Sequence, residues 1–323
     1  MALGDYTDFV VRPEYFETGF IETLGQNINA FNAASRGAIR LVTQEEQGHY
    51  AQTRFFDLPT SIVSRRDITS SSATTDTALT QDEVISVKLN RKVGPFGQTL
   101  DSWRKIGKDA EEMSFMLGQK VGEQVLQDYL QAALNAVEGF LSGQSGLTYD
   151  YTGTGTLVHA ALISGLAKFG DAGDRIKCWV QHSKPFYDLM AANVTVASGN
   201  IGGMTLIDAQ VASLNRPIVV TDSSFLYVTG TPTQYVTLGL VENAVVITET
   251  ERPMIFTERV MGVENIFYRY QGEHAFNVEV KGAKWDTGNG GINPTDAALG
   301  TSSNWDVVVA RDKDKAGVWI YTD

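Results

Sequence analysis

The residue types that most often carry chemistry are few in this chain and badly spaced for it. The four histidines, His49, His159, His182 and His274, lie far apart, with no pair four residues apart on one helix face. They read as solvated or structural imidazoles. The single cysteine, Cys178, sits in Ile176-Lys-Cys-Trp-Val180, a buried-strand pattern in which a thiol serves as a small hydrophobe. One cysteine cannot form an intrachain disulfide, which fits synthesis in a reducing cytoplasm. Gly153-Thr-Gly155 precedes a helix as a phosphate loop does. Yet Val158 stands where a third glycine belongs and no Gly-Lys-Ser/Thr follows, so this is a turn at a helix start. Asp312-Lys-Asp314 lacks the glycine and glutamate of a calcium loop, and no Gly-X-Ser-X-Gly elbow occurs. No catalytic, cofactor-binding or metal-binding residue is nominated, no cofactor is expected, and the chain reads as a non-enzyme.

Charge is more informative. The 323 residues carry 38 acidic against 26 basic side chains, a net charge of −12. Proteins that grip nucleic acid through phosphates show the opposite balance, so direct DNA binding is disfavoured while enclosure of DNA is not. Against that background one segment is locally basic. Arg54, Arg65, Arg66, Arg91 and Lys92 all fall within 38–97, and they are the candidate intersubunit contacts, a basic ribbon meeting an acidic neighbouring subunit. Hydrophobic content is 43%, that of a globular chain, and no apolar run approaches the ~20 residues of a membrane helix. The opening residues lack the basic and apolar segments of a secretory signal.

The elements that position these residues are organised around 109–141. Met113, Leu117, Val121, Val125, Tyr129, Ala133, Val137 and Phe140 recur at spacings of four and three, which predicts one long amphipathic helix. Glu111, Lys120, Glu123, Gln127, Asp128 and Asn135 are assigned to its polar side. At ~1.5 Å per residue it spans on the order of 50 Å and needs something elongated to lie against. Before it, Pro13 opens a helix with an apolar stripe of Tyr15, Phe16, Phe20, Ile21, Leu24, Ile28 and Phe31. That arm has no local partner and must dock elsewhere on its own subunit or on a neighbour. Between the two helices, a strand at 50–58 and an alternating strand at 85–93 predict an extended two-stranded loop. Its tip of small polar residues (70–78) needs outside contacts. Such a ribbon is marginal alone in water, so an undocked arm and ribbon would leave folding to be completed by association.

After the glycine-rich exit at 142–146 come short alternating elements. Helices are expected at 157–169 and at 185–192, the latter capped by Ser183, with strands at 175–181, 216–221 and 235–240. Strands at 244–249, 265–270 and 275–281 follow, placed to run alongside the long helix. The tail holds a short helix from Pro294, an ambiguous 305–310 segment, and a final strand at 317–322.

This order (arm, long β-loop, long helix, α/β subdomain, returning strands, short tail) resembles the HK97-like major capsid protein of tailed double-stranded DNA bacteriophages. Asn293-Pro-Thr-Asp-Ala-Ala-Leu299 followed by Asn304-Trp305 is similar to one phage coat-protein subfamily. The resemblance implies an α+β HK97-like capsid fold. It has an N-terminal arm (1–37), an extended β-hairpin E-loop (38–98) and the spine helix of the P domain (99–148). An A domain (149–243), P-domain strands (244–285) and a C-terminal segment (286–323) complete it. It further implies a homo-oligomer of pentamers and hexamers whose E-loops lie over the next subunit. This icosahedral virion shell, made in the bacterial host cytoplasm, encloses double-stranded DNA without sequence-specific binding. Portal, scaffolding and decoration proteins are the further candidate partners; no membrane is. Some members carry a removable scaffolding region ahead of the arm; its absence from this order implies a separate scaffolding protein or assembly without one. No lysine–asparagine pair is nominated for covalent cross-linking. The alternatives are an encapsulin-type shell around a protein cargo and, from another class, a soluble α/β enzyme.

Overall fold

The computed structural model describes residues 13–44, 48–57, 65–66, 68–73, 80–99, 110–197, 214–230, 232–261, 264 and 267–323. The first twelve residues, the 58–64 and 74–79 parts of the expected loop, and the lead-in at 100–109 lie outside the described residues, as do the side chains of Leu24, Phe31, Glu111 and Met113.

The long helix, α2 (Ala110–Ser142), follows α1 (Pro13–Ala34). Val121, Val125, Tyr129, Ala133, Val137 and Phe140 are buried along it, as their spacing requires. Its second half sinks deeper, because Ala132, Leu134, Ala136 and Leu141 are buried as well. Asn135, assigned to the polar side, is fully buried and neither amide atom has a hydrogen-bond partner among the described residues.

The arm helix is not undocked. It lies along α2, burying Phe16 and Phe20. Glycines set the closeness of the two backbones: a Cβ on Gly19 would stand 2.5 Å from the carbonyl oxygen of Phe115, and one on Gly118 would collide with that of Phe16. Tyr15 and Ile21, expected in the buried stripe, are exposed instead.

One face of α2 packs on a five-stranded sheet built from β1 (Ile39–Thr43), β2 (Tyr50–Asp57), β3 (Thr80–Thr99), β9 (Val245–Val260) and β10 (Phe267–Val280), in the order β1-β9-β10-β3-β2. Only the β1–β9 pair is parallel. The strands expected at 265–270 and 275–281 are one strand. Its register shifts around Gly272, where a Cβ would stand 2.7 Å from Ile255 Cγ1. The strand expected at 85–93 runs on through Gly94-Pro95. These two residues face Gln271 alone, a bulge that tolerates the missing proline N–H.

A second sheet contains β4 (Thr148–Asp150), β5 (Ile176–Gln181), β6 (Ile218–Val220), β7 (Tyr227–Val228), β8 (Gln234–Val241) and β13 (Gly317–Thr322). Helices α3 (His159–Ala167) and α4 (Ser183–Ala197) accompany it. The order is β4-β13-β8-β5-β6, with β7 on β8. The final strand is therefore no loose tail: it lies between β4 and β8 with Val318, Trp319 and Ile320 buried. Ser183 is the first residue of α4 and not its cap. The capping acceptor is His182, whose Nδ1 receives the Lys184 N–H at 3.2 Å.

The remaining pieces close over the end of α2. Strands β11 (Ala283–Trp285) and β12 (Trp305–Val307) pair, settling the ambiguous segment as a short strand after a 3-10 turn, and Trp285 and Trp305 meet edge to face at 4.9 Å. The short helix α5 (Asp296–Leu299) is capped by Thr295.

Candidate assembly surface

The expected contact residues divide once they are placed. Strands β2 and β3 form an antiparallel hairpin from Tyr50↔Val87 to Asp57↔Thr80, so the two-stranded loop is present, and its base is the border of the five-stranded sheet. Arg54 projects from β2 with 75% of its side chain exposed, 3.9 Å from Glu83, too loose and too wet to hold it firmly. Arg65 and Arg66 are exposed beyond the end of β2, and Lys92 is exposed on β3 opposite Glu273. All four cations are exposed.

Arg91 is not. Its side chain is 22% exposed and turns inward, with Nε 3.1 Å from Asp128 of α2 and a guanidinium nitrogen on Asp296 of α5. It also stands 5.9 Å from the centre of the Phe276 ring. Arg91 thus ties the hairpin base to the long helix and the tail inside one subunit. The adjacent Asn90 N–H donates to the Asn293 side chain at 2.9 Å, so the 293–299 segment clamps β3 at two successive residues. Sequence reasoning missed Asp128 and Asp296, since their meeting with Arg91 is set by the fold and not by spacing.

Beside Arg91, His274 is 3% exposed, with Nε2 4.0 Å from Asp128. Neither ring nitrogen has a hydrogen-bond partner among the described residues. Burial, aided by the Arg91 charge, pushes its pKa down to about 4, so it is neutral in the folded subunit at neutral pH. Burial raises Asp128, with Arg91 opposing. Tyr129 packs on Phe276 at 4.7 Å and donates from its hydroxyl to Glu249 at 3.4 Å, a second polar tie between α2 and the sheet.

No group of three or more metal-ligating side chains converges among the described residues. His49 borders β2, His159 opens α3, and His182 and His274 are placed as above, each in a different part of the fold. Cys178 is buried, and burial pushes its thiol up to about 12, where it is no nucleophile. No described helix is long and apolar enough to cross a membrane.

The described elements are thus an arm helix on a long helix, a long sheet bordered by a hairpin, and a second α/β unit closed by the last strand. The family model described as major capsid protein 13-like matches residues 8–319. The chain belongs to this capsid-protein family. Among solved structures it is similar to the capsid of cyanophage Pam1, at 11% identity and a TM-score of 0.51 over 87% of this chain and 88% of that one. It is also similar to the capsid of Helicobacter pylori bacteriophage KHP30, at 12% identity and 0.51 over 88% of each chain. The capsid of Myoviridae phage XM1 gives 13% and 0.50, over 89% of this chain and 90% of that one. At such identities the likeness is one of fold, and the fold is HK97-like. No curated protein matches the sequence. As a family member the chain is a structural, shell-forming component of a virion.

Proposed function

We propose that this capsid subunit assembles as pentamers and hexamers into an icosahedral head that encloses double-stranded DNA without binding a particular sequence. The observation that carries this reading is the family match over 8–319, joined to the exposed cations Arg54, Arg65, Arg66 and Lys92, which nothing among the described residues holds firmly. Residues 1–37 serve as the arm, 38–98 as the E-loop and 99–148 as the spine. Residues 149–243 form the A domain, extended by the C-terminal strand β13, and 244–285 return to the P domain. The net charge of −12 suits a wall that does not adhere to packaged DNA. Synthesis in a bacterial cytoplasm, and portal, scaffolding and decoration proteins as partners, belong to the same reading.

Because α1 and the hairpin base are covered within the subunit, the chain folds before it assembles, and neighbours need only cover the hairpin and the exposed apolar residues. The decisive experiment is negative-stain microscopy of the purified protein with nuclease treatment of particles from infected cells. Closed shells holding nuclease-protected DNA are expected. Shells that hold a protein cargo and no DNA would favour an encapsulin-type compartment, and a persistent monomer would end the shell reading.

A further inference from the structure

Three polar side chains in the middle of the second sheet share one interior layer. Gln181 ends β5 and stands directly opposite Thr237 of β8. On its other side Thr237 stands opposite Ile320 of β13, and Thr322 lies two residues beyond Ile320. Residues two apart on a strand point the same way, so Gln181, Thr237 and Thr322 face one side of the sheet across three neighbouring strands. Directly opposite residues lie ~5 Å apart and diagonal ones ~7–8 Å. Helix α3 covers that side, since a Cβ on its Gly165 would collide with Ile320. All three polar side chains are 0% exposed.

Groups at that depth are ordinarily bonded, because a buried donor or acceptor left without a partner costs more than a typical hydrogen bond returns. Here four atoms have no hydrogen-bond partner among the described residues: Gln181 Nε2 and Oε1, Thr237 Oγ1 and Thr322 Oγ1. Four such atoms on three neighbouring side chains make a cluster, and a cluster can be served by one shared guest.

The chemistry of the set says what that guest is. The carboxamide offers donors and an acceptor, and each hydroxyl can act as either, so the guest must both donate and accept. None of the three is ionisable, which leaves nothing to balance a charged guest away from solvent. A fully covered site admits only a small one. Water meets all three conditions, and a buried molecule ordinarily makes about three hydrogen bonds. Sitting ~2.8 Å from two side chains, it joins groups that do not touch each other.

We propose that Gln181, Thr237 and Thr322 form a closed polar site that holds ordered water, on the order of one or two molecules, bridging β5, β8 and β13. The bridge pins the last strand. A slip of β13 by one residue would turn Thr322 to the other face and bring Tyr321 or Asp323 into the site, so the water favours the observed register. This goes beyond the shell reading and does not depend on it.

Thr237→Val and Thr322→Val, made separately in the full chain, nearly keep the side-chain shape and remove the hydroxyl. With the hydroxyl bonded to water, each variant strands that water, and its folded-to-unfolded ratio is expected to fall about fivefold or more in urea unfolding. Were the hydroxyl unbonded, the same change would relieve a buried orphan and raise the midpoint. A raised or unchanged midpoint in either variant overturns the proposal. The unmodified protein gives a second test that needs no variant to fold. A density map fine enough to resolve water is expected to show a peak within hydrogen-bond distance of at least two of the three side chains, and absence of that peak overturns the proposal.

Discussion

Arg91 and Glu138 show how much one side chain can decide inside this subunit. Arg91 holds Asp128 and Asp296 from two elements that are distant in sequence, and only 22% of its side chain meets water. Replacing it by methionine keeps the stem that packs near Phe276 and leaves two carboxylates facing each other without a cation. Breaking a buried pair from one side costs ~3–5 kcal/mol, and the half-exposed Asp296 places this site near the lower end, at about 3 kcal/mol. Urea unfolding of the Arg91→Met subunit should show that loss, and an unchanged midpoint would remove Arg91 from the latch. Glu138 acts through pH. Burial pushes its carboxyl from 4.5 up to about 7, so the folded state holds a proton that the unfolded chain releases, and stability falls as pH rises from about 4.5 through 7. His274, lowered from 6.5 to about 4, has the opposite sign: its contribution falls as pH drops from about 6.5 through 4. Asp128, also raised by burial, acts in the direction of Glu138. The opposing slopes flatten the profile, and Glu138→Gln removes one of them. Thermal unfolding from about pH 5 to about pH 8 should show the variant gaining on the parent chain as pH rises, and a constant difference would contradict the assignment.

At the scale of elements, the glycines between α1 and α2 give a paired test. Gly118→Ala places a methyl group against the Phe16 carbonyl and must push the arm off the spine, at a cost of ~1–3 kcal/mol for overpacking. Gly25→Ala meets nothing within 4 Å on the same arm and should gain up to about 1 kcal/mol of helix propensity. Chemical denaturation should move the two in opposite directions, and limited proteolysis should cut the arm of Gly118→Ala first. The same two helices show what was legible in the sequence. The limits of α2, expected at 109–141 and found at Ala110–Ser142, follow from an apolar period that local chemistry fully determines. The partner of α1 did not follow, because Gly118 and Gly122 look like mild helix defects until a second backbone is laid on them. Strand lengths were underestimated for a related reason. Beyond Glu251, Met254, Ile255 and Phe256 are consecutive apolar residues, so the apolar–polar alternation that betrays a half-buried strand disappears although the ladder to β10 continues to Val260. The place of β13 was illegible too, since its neighbours β4 and β8 lie far away along the chain and pairing at such separation leaves no local pattern. Among the five cations nominated for contact, exposure could be inferred for Arg54, Arg65, Arg66 and Lys92 from a ribbon. The inward turn of Arg91 depends on where α2 and α5 come to rest.

For the whole molecule, the central consequence is that folding and assembly draw on different residues. The core runs unbroken from α1 through both sheets to the last strand, so the subunit does not wait for neighbours to become a folded object. Among the described residues nothing covers the outer side of the hairpin, and Arg65 and Arg66 stand exposed beyond β2. An exposed ion pair contributes ~0.2–1 kcal/mol, too little to hold two subunits together alone. In the rings proposed above each subunit repeats the same contacts, so a small term per interface is multiplied around the circle, and exchanging attraction for repulsion doubles its effect. Arg65→Glu with Arg66→Glu should therefore leave the circular dichroism and unfolding midpoint of the free subunit unchanged while reducing shell yield about tenfold at ~0.1 M salt, where the screening length is ~10 Å. Raising the salt should weaken assembly of the unmodified chain and narrow the gap between it and the variant, because screening removes both attraction and repulsion. Sedimentation of assembled particles across a salt series reads both effects together. Normal yield of the double variant at low salt would show that Arg65 and Arg66 meet no acidic neighbour in the shell.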